Sequence, residues 1–307
     1  MNLREWALPV YTILIQLAAG AFLALWTGRS FSRREREPEL LDELVKIPLL
    51  IIFATIIVAI VGAHFHLSKP LLSVFALMNV KSSWLSREIL FTMVFMILTG
   101  VVSLLMWFEN GNYRLKTFLG WGAILSGFVT VLSMSQIYLL PTQKLWNSEY
   151  TIISYFGTTL LLGFTSLIAI LLMDVNYSEV QNRENVQELS EIVQKWLGVL
   201  VSSAAVMAVL VLLVNIYQVV SLQRLEFTSA QVSLRLLTEL YQPLLVIRYL
   251  MLVLGIGWLL WKVPGNLRRN LPIKDLIGSV YVAFLLVLVG EVLGRFLFYA
   301  SHVRIGL

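Results

Sequence analysis

The sequence predicts an all-α integral membrane protein with eight transmembrane helices in one bundle. Two observations predict this class. First, 58% of the 307 residues are hydrophobic and 13% are charged, whereas soluble domains carry about 25% charged residues. Second, the sequence has eight apolar runs that approach the roughly 20 residues a helix needs to cross a bilayer. The runs lack the alternation of apolar and polar residues that is typical of a transmembrane barrel.

The eight runs follow one another along the chain with polar connections between them. Because backbone groups in lipid must pair within the chain, each run is predicted to be a helix. No polar stretch is long enough for a second domain, so residues 1–307 are predicted to form a single membrane domain. The predicted spans are 6–27, 47–66, 88–107, 117–140, 151–174, 196–219, 244–261 and 275–300.

The first residues and the basic residues predict how the bundle lies in the membrane. The start, MNLREWALPV, lacks a basic n-region and a cleavage site of small residues, so the first run is predicted to be a retained span. Lys and Arg are more frequent in the loops after spans one, three, five and seven than in the other loops and the termini. The positive-inside rule therefore predicts both termini on the outer, periplasmic side. The outer loop 220–243 has apolar residues near helical spacing, which predicts a helix on the membrane surface or under a partner.

Residue counts exclude several kinds of redox centre. The chain has no cysteine, which excludes disulfides, thiolate chemistry and an Fe–S cluster ligated by this chain. His64 and His66 are two residues apart, so they point to different sides of one helix, and His302 is the third histidine of the sequence. A haem held by histidines from two helices is therefore not expected. The modest net charge of +5 indicates topology and not nucleic-acid binding.

Three polar residues flank the loop between the second and third spans. His66 and Lys69 lie in GAHFHLSKP, and Glu88 lies in WLSREIL. Ser86 is predicted to cap the third span, which would place Glu88 in the first turn, where the helix dipole favours a carboxylate. A histidine and a carboxylate at one surface can take two protons from a bound hydroxyl compound. The alternative is that the histidines only anchor a span end in the headgroup region and that the helix start alone explains Glu88.

A second polar group lies inside the eighth span. Glu291 and Arg295 are four residues apart on one helical face, so they are predicted to form a structural ion pair. Gly290 and Gly294 would allow another helix to approach closely. A midplane ion pair also occurs in secondary transporters, which are the alternative class. Against that class, no pair of Gly- or Pro-interrupted spans recurs in the two halves of the sequence.

At these residues the sequence resembles the membrane anchor subunit of bacterial dimethyl sulfoxide reductase, an eight-span family. The landmarks run the length of the sequence: EW at 5–6 with Gln16 and Gly20, HL with Pro70, LS with Glu88, and GE…GR…FY…H…G from 290 to 306. The sequence departs from the family in one motif, which commonly reads HLGSP. Here Ser68 and Lys69 stand in that motif, and Leu72 stands where an arginine is expected.

The resemblance implies a function for the protein. In the family this subunit holds no haem and no cluster, anchors a molybdopterin catalytic subunit and a four-cluster Fe–S subunit in the bacterial inner membrane, and oxidises menaquinol in anaerobic respiration. The resemblance assigns the quinol site to His66 and Glu88, and Lys69 is a candidate to replace the charge of the missing arginine. Electrons would pass directly from menaquinol to a cluster of the partner. A polysulfide reductase-type anchor and a purely structural anchor without a quinol site are the alternatives.

Overall fold

Long helices account for most of the described residues. The computed structural model describes residues 3–33, 37–66, 75, 77–181, 185–269 and 271–302, with the side chains of 3–6, 65 and 66 outside the description. A π-helical turn, Leu236–Leu240, continues the seventh helix, and a 3-10 turn, Ile273–Leu276, precedes the ninth. In chain order the helices are α1 (Leu3–Ser32), α2 (Pro38–His66), α3 (Trp84–Trp107), α4 (Tyr113–Ile137), α5 (Glu149–Val180), α6 (Val186–Gln223), α7 (Thr228–Arg235), α8 (Gln242–Arg268) and α9 (Ile277–Ala300).

All of these helices except α7 are long and apolar enough to cross a membrane, which gives eight candidate spans within the described ranges. The predicted fold class and number of spans are therefore confirmed. The helices extend beyond the predicted runs because an apolar run marks only the part of a helix that lies in hydrocarbon. For example, α5 continues through polar sequence as far as Val180, and α6 already begins in polar sequence at Val186.

Helices α1 and α5 form the centre of the bundle. The buried share of the apolar window is 78% for α1 and 72% for α5, against 28% to 50% for the other spans. The two backbones touch, because a Cβ atom at Gly20 would collide with the carbonyl oxygen of Thr159, and one at Gly163 would collide with the backbone of Gly20. Such contacts between small residues replace the hydrophobic effect as the packing force inside a bilayer.

The other helices pack around this centre, mostly against the helix next to them in sequence. The main pairs are α1 with α2, α3 with α4, α5 with α6, and α8 with α9. Because consecutive spans alternate in direction, the end of α2, the start of α3 and the end of α9 lie at one end of the bundle. We call it the Glu88 end, and the opposite end, where α1 finishes and α2 starts, the Asp42 end. The side of the membrane that each end faces stays a prediction.

Helix α7 and its π-helical turn lie at the Glu88 end. The segment packs through the buried Ala230 and Leu237 against Leu222 at the end of α6 and Leu297 at the end of α9, whereas Val232 and Leu240 are exposed. The sequence therefore predicted a helical segment here but not its buried face. A π-helical turn has a longer repeat than an α-helix and changes which side chains face inward.

Candidate functional site

Glu88 lies in the second turn of α3, at the end of the bundle where α2 finishes. The helix begins at Trp84, and the side chain of Ser83 accepts a hydrogen bond from the amide of Ser86, at 3.4 Å. The predicted cap at Ser86 is therefore wrong, and Ser86 itself is buried inside the first turn. Because the helix dipole acts mainly within the first turn, it contributes little at Glu88. Another feature must compensate for burying this carboxyl group.

The surroundings of Glu88 combine burial with neighbouring hydroxyl groups. Glu88 is 5% exposed, although polar groups at membrane depth are costly and usually functional. Tyr11 of α1 interacts with its carboxyl group. The Tyr11 hydroxyl also lies 3.0 Å from Oγ1 of Thr92, one turn after Glu88 on the same face of α3. The sequence gives no signal for Tyr11, because a tyrosine near the start of a span is typical of an interfacial anchor.

Aromatic rings pack together at the same end of the bundle. The aromatic cluster is connected by hydrogen bonds, with 2.8 Å between the hydroxyls of Tyr138 and Tyr299 and 2.9 Å from Nε1 of Trp146 to the carbonyl oxygen of Phe298. The cluster comprises Tyr138, Trp146, Tyr155, Phe298, Tyr299 and His302, whose imidazole stacks on Trp146.

Of the three predicted quinol-site side chains, the structure describes Glu88. α2 ends at His66, but the side chain of His66 lies outside the described residues, as do Lys69 and Leu72. His64 is described and exposed, and its Nδ1 lies 2.7 Å from the carbonyl oxygen of Ile60 on its own helix. The structure thus brings the ends of α2 and α3 to the same end of the bundle and gives His64 a local hydrogen bond.

A buried charge cluster lies deeper in the bundle and joins five helices. Its members are Gln16 of α1, Thr158 of α5, Asn215 of α6, Arg248 of α8, and Glu291 and Arg295 of α9. Thr158 donates a hydrogen bond to Oε2 of Glu291, at 2.6 Å. Nη2 of Arg295 donates to Oε1 of Gln16, at 2.7 Å, and the amide nitrogen of Gln16 donates to the carbonyl oxygen of Tyr155, at 2.7 Å.

The ion pair that the structure gives Glu291 is with Arg248, not with the predicted Arg295. Nη2 of Arg248 lies 3.8 Å from Oε1 of Glu291, and Nη1 donates to Oδ1 of Asn215, at 3.1 Å. The guanidinium of Arg295 instead lies 3.8 Å from the ring centre of Tyr155. An arginine side chain is long enough to leave an (i, i+4) partner when another helix offers an amide and an aromatic face.

Arg248 is a second residue that the sequence analysis missed. It lies close to the start of the seventh apolar run, where a basic side chain is typical of the membrane surface. The structure instead buries it to 5% exposure. Gly294 makes this possible, because a Cβ atom there would collide with the Arg248 guanidinium. Gly294 is the one feature of the sequence that points to this contact, because a glycine there predicts the close approach of another helix.

A second charge cluster lies at the Asp42 end. Asp42 accepts hydrogen bonds from Nε of Arg29 at 2.9 Å and from Nζ of Lys116 at 2.8 Å. The Arg29 guanidinium also faces the rings of Trp26 and Tyr113, at 4.7 and 4.9 Å from their centres. This cluster therefore joins α1, α2 and α4. None of the predicted site residues belongs to it.

The groups around Glu88 are suited to proton exchange and hydrogen bonding. They are a carboxyl group and the hydroxyls of Tyr11 and Thr92, which can hold a hydroxylated ring or pass a proton. Within the described ranges, no group of three or more His, Cys, Asp or Glu side chains is placed to hold a metal ion.

Comparison with known proteins finds similarity along the whole sequence. A family model described as "DMSO reductase anchor subunit (DmsC)" matches residues 1–301. The protein is 26% identical to the YnfH subunit of an anaerobic dimethyl sulfoxide reductase of Escherichia coli (strain K12) over 312 residues, which cover 99% of this protein and 97% of that one. It is 26% identical to the C subunit of the anaerobic dimethyl sulfoxide reductase of Haemophilus influenzae over 315 residues, which cover 100% and 99% of the two proteins. For the C subunit of the Escherichia coli (strain K12) enzyme, the identity is 25% over 308 residues, which cover 99% and 97%.

Proposed function

Because the family match covers residues 1–301, the chain belongs to the dimethyl sulfoxide reductase anchor subunit family, and we propose that it oxidises menaquinol for such a complex. The electrons pass to a four-cluster Fe–S subunit and then to a molybdopterin catalytic subunit, where the terminal acceptor is reduced. Membership separates the protein from the polysulfide reductase-type anchor and the secondary transporter. The protein then works in the bacterial inner membrane, with lipid around it.

The observation that carries this proposal is the buried carboxyl group of Glu88. A carboxyl group that is 5% exposed within a membrane span is costly to bury, so such groups usually serve a function. It lies at the end of the bundle where α2 finishes at His66. The hydroxyls of Tyr11 and Thr92 beside it can orient a quinol oxygen or the carboxyl group itself.

The proposed chemistry divides two protons between two side chains. Oxidation of a quinol to a quinone releases two electrons and two protons. The electrons leave to the partner's Fe–S cluster, because the cysteine-free sequence supplies no thiolate ligands for a cluster of its own. His66 takes one proton, since an imidazole changes protonation near neutral pH, and Glu88 takes the other as a carboxylate base. Lys69 contributes a positive charge near the quinol oxygens.

The test compares three variants in the complex purified in mild detergent. His66→Ala and Glu88→Gln should lose oxidation of a menaquinol analogue, whereas an artificial electron donor to the catalytic subunit should still support turnover. The pairing of the two assays separates loss of the quinol site from loss of the complex.

His64→Ala is the matched control, because its imidazole already has a hydrogen-bond acceptor on its own helix. It should keep quinol oxidation close to that of the unmodified complex. If His66→Ala also keeps near-normal quinol oxidation, the histidine only anchors the span end. If Glu88→Gln does so as well, the protein is a purely structural anchor.

The proposal also includes an orientation, with both termini and the Glu88 end on the outer side. Protons from menaquinol would then be released on the side where the partner subunits use the electrons, so turnover would not move charge across the membrane. Alkaline phosphatase fused to the C-terminus should be active in intact cells, because this reporter folds only outside the cytoplasm. An inactive phosphatase fusion together with a fluorescent C-terminal green fluorescent protein fusion would reverse the orientation.

A further inference from the structure

Two small cavities lie beside the buried charge cluster. One of about 30 Å³ is lined by Glu291, Arg295, Arg248 and Tyr155, and its neighbour of about 40 Å³ extends toward Leu145 at the Glu88 end. The two share lining residues, namely Asn215, Gln218, Arg248, Gly294 and Phe298. A water molecule needs roughly 10–15 Å³ of such space and two to four polar partners. Each cavity therefore has room for at least one water molecule.

The polar atoms around the first cavity are incompletely paired. Among the described residues, no hydrogen-bond partner is found for Oε1 of Glu291, Nε of Arg295 or Nε of Arg248. Glu291, Arg248, Arg295 and Tyr155 are each more than nine-tenths buried. The 3.8 Å between Glu291 and Arg248 is also too long for a hydrogen bond. Buried polar groups are rarely left in this condition in folded proteins.

We propose that these cavities hold ordered water that completes the buried charge cluster. In the first cavity, water bridges the carboxylate of Glu291 to the guanidinium groups of Arg248 and Arg295. In the second, it continues past Asn215 and Gln218 toward the Glu88 end. The site thus makes Glu291 accessible to water from the Glu88 end of the bundle. This inference stands on the cavities and the unpaired atoms, and it does not depend on the proposed quinol chemistry.

X-ray footprinting in water labelled with ¹⁸O tests this directly on the full-length protein in its detergent-purified complex. Radicals form from water molecules at the place where they are bound, so a buried side chain takes up label only if water lies against it. Tyr155 should be labelled several-fold faster than Phe22 and Phe95, which are fully buried in the apolar core. They are suitable controls, because phenylalanine also reacts readily with these radicals and carries no polar atom in its side chain.

A cavity-filling variant sharpens the test. Ser154 lines the first cavity, and Ser154→Leu should abolish labelling of Tyr155 while Phe22 and Phe95 are unaffected. If Tyr155 is labelled no faster than Phe22 and Phe95 in the unmodified protein, the proposal is wrong, whether or not Ser154→Leu assembles. Persistent labelling of Tyr155 in an assembled Ser154→Leu variant would also contradict it.

A second measurement separates water from a bound anion, because the cluster holds two guanidinium groups and one carboxylate. Replacing chloride by gluconate at constant ionic strength should leave the thermal midpoint of the complex unchanged. A lowered midpoint that chloride alone restores would show that an anion occupies the site, and would overturn the proposal of water.

Discussion

The charge clusters at the Asp42 end and in the middle of the bundle bury arginines in different ways. Asp42 receives Arg29 and Lys116 at 2.9 and 2.8 Å, and its side chain is 19% exposed. Glu291 faces Arg248 at 3.8 Å and is 2% exposed. A carboxylate near the surface can hold its cations by direct contact. The deeper carboxylate bonds to a threonine hydroxyl and leaves an oxygen unpaired among the described residues.

This difference in pairing indicates a structural role for the Asp42 cluster. It indicates that the cluster around Glu291 binds a further group, such as water. At Asp42 both carboxylate oxygens accept hydrogen bonds, one from Arg29 and one from Lys116, although Nη1 of Arg29 has no partner among the described residues and Asp42 and Lys116 also line a cavity. Around Glu291, the spacing of the charges and the adjoining cavities are what a bound component would fill. A buried ion pair is weak evidence for stability by itself, because desolvation offsets attraction. The unpaired atoms are the more informative observation.

The largest effect is expected from Asp42→Asn, which would break the cluster of direct contacts. Arg29 would remain buried, at 1% exposure, without a carboxylate. Removing one partner of a buried pair typically costs about 3–5 kcal/mol. The thermal midpoint of the complex in detergent should fall strongly or assembly should fail. An unchanged midpoint would mean that the aromatic rings around Arg29 suffice to hold it.

Next in size is the interaction energy of Glu291 with each arginine, measured by two double-mutant cycles. Glu291→Gln combined with Arg248→Gln should give a coupling energy of about 1–3 kcal/mol, because the two charges face each other in a buried site. Glu291→Gln combined with Arg295→Gln should give less. Unfolding in increasing concentrations of a denaturing detergent measures both cycles. A larger coupling with Arg295 would support the pair that the sequence predicted and contradict the arrangement in the structure.

A smaller effect is expected from Gly294→Ala, which tests how Arg248 reaches the cluster. The added Cβ would displace the guanidinium, and overpacking of this kind costs about 1–3 kcal/mol. Gly257→Ala on α8 is the matched control, because no other described part of the chain lies within 4 Å of its Cβ position. It should be neutral or stabilise by about 0.5–1 kcal/mol through helix propensity. Equal losses in the two variants would exclude a specific contact with Arg248.

The smallest effect is expected at the exposed pair of Lys46 and Glu109, 2.7 Å apart. A hydrogen bond from Lys46 and its positive charge lower the pKa of Glu109 below its usual value. A carboxyl group with a lowered pKa stabilises the folded state above its unfolded pKa, and this is lost as pH falls through the folded pKa. Glu109→Gln should therefore lower the thermal midpoint slightly at neutral pH, and should leave it unchanged at acid pH or in high salt. A large change at neutral pH would show that this pair belongs with the Asp42 contacts.

Apolar run length was enough to predict the eight spans, because the bilayer imposes one requirement on every helix. The same pattern could not predict which helices are central. That depends on backbone contact between Gly20 and Gly163, which lie far apart in sequence. The start of α3 was misplaced because three serines, Ser82, Ser83 and Ser86, compete for the cap, and only backbone conformation selects Ser83.

The candidate site was predictable where a charge interrupts an apolar run. Glu291 and Arg295 were singled out in this way, and Glu88 because it stands at the start of such a run. Their partners were harder to predict, because Tyr11 and Arg248 lie near span ends, where tyrosine and arginine are common for other reasons. Glu291 pairs with Arg248 and not with Arg295 because of how α8 and α9 are aligned at Gly294. The spacing of residues within one helix gives no information about this alignment.

The contact between Gly20 and Gly163 also affects when the centre of the bundle can assemble during synthesis. α1 is made first, yet its central position is defined by α5, and Gln16 finds its acceptor in Tyr155, 139 residues later in the sequence. While the intervening spans are being translated, this acceptor does not yet exist, and the amide of Gln16 must use other partners. Insertion and final packing are therefore separate events for this helix. The centre of the bundle closes only after the fifth span has emerged from the ribosome.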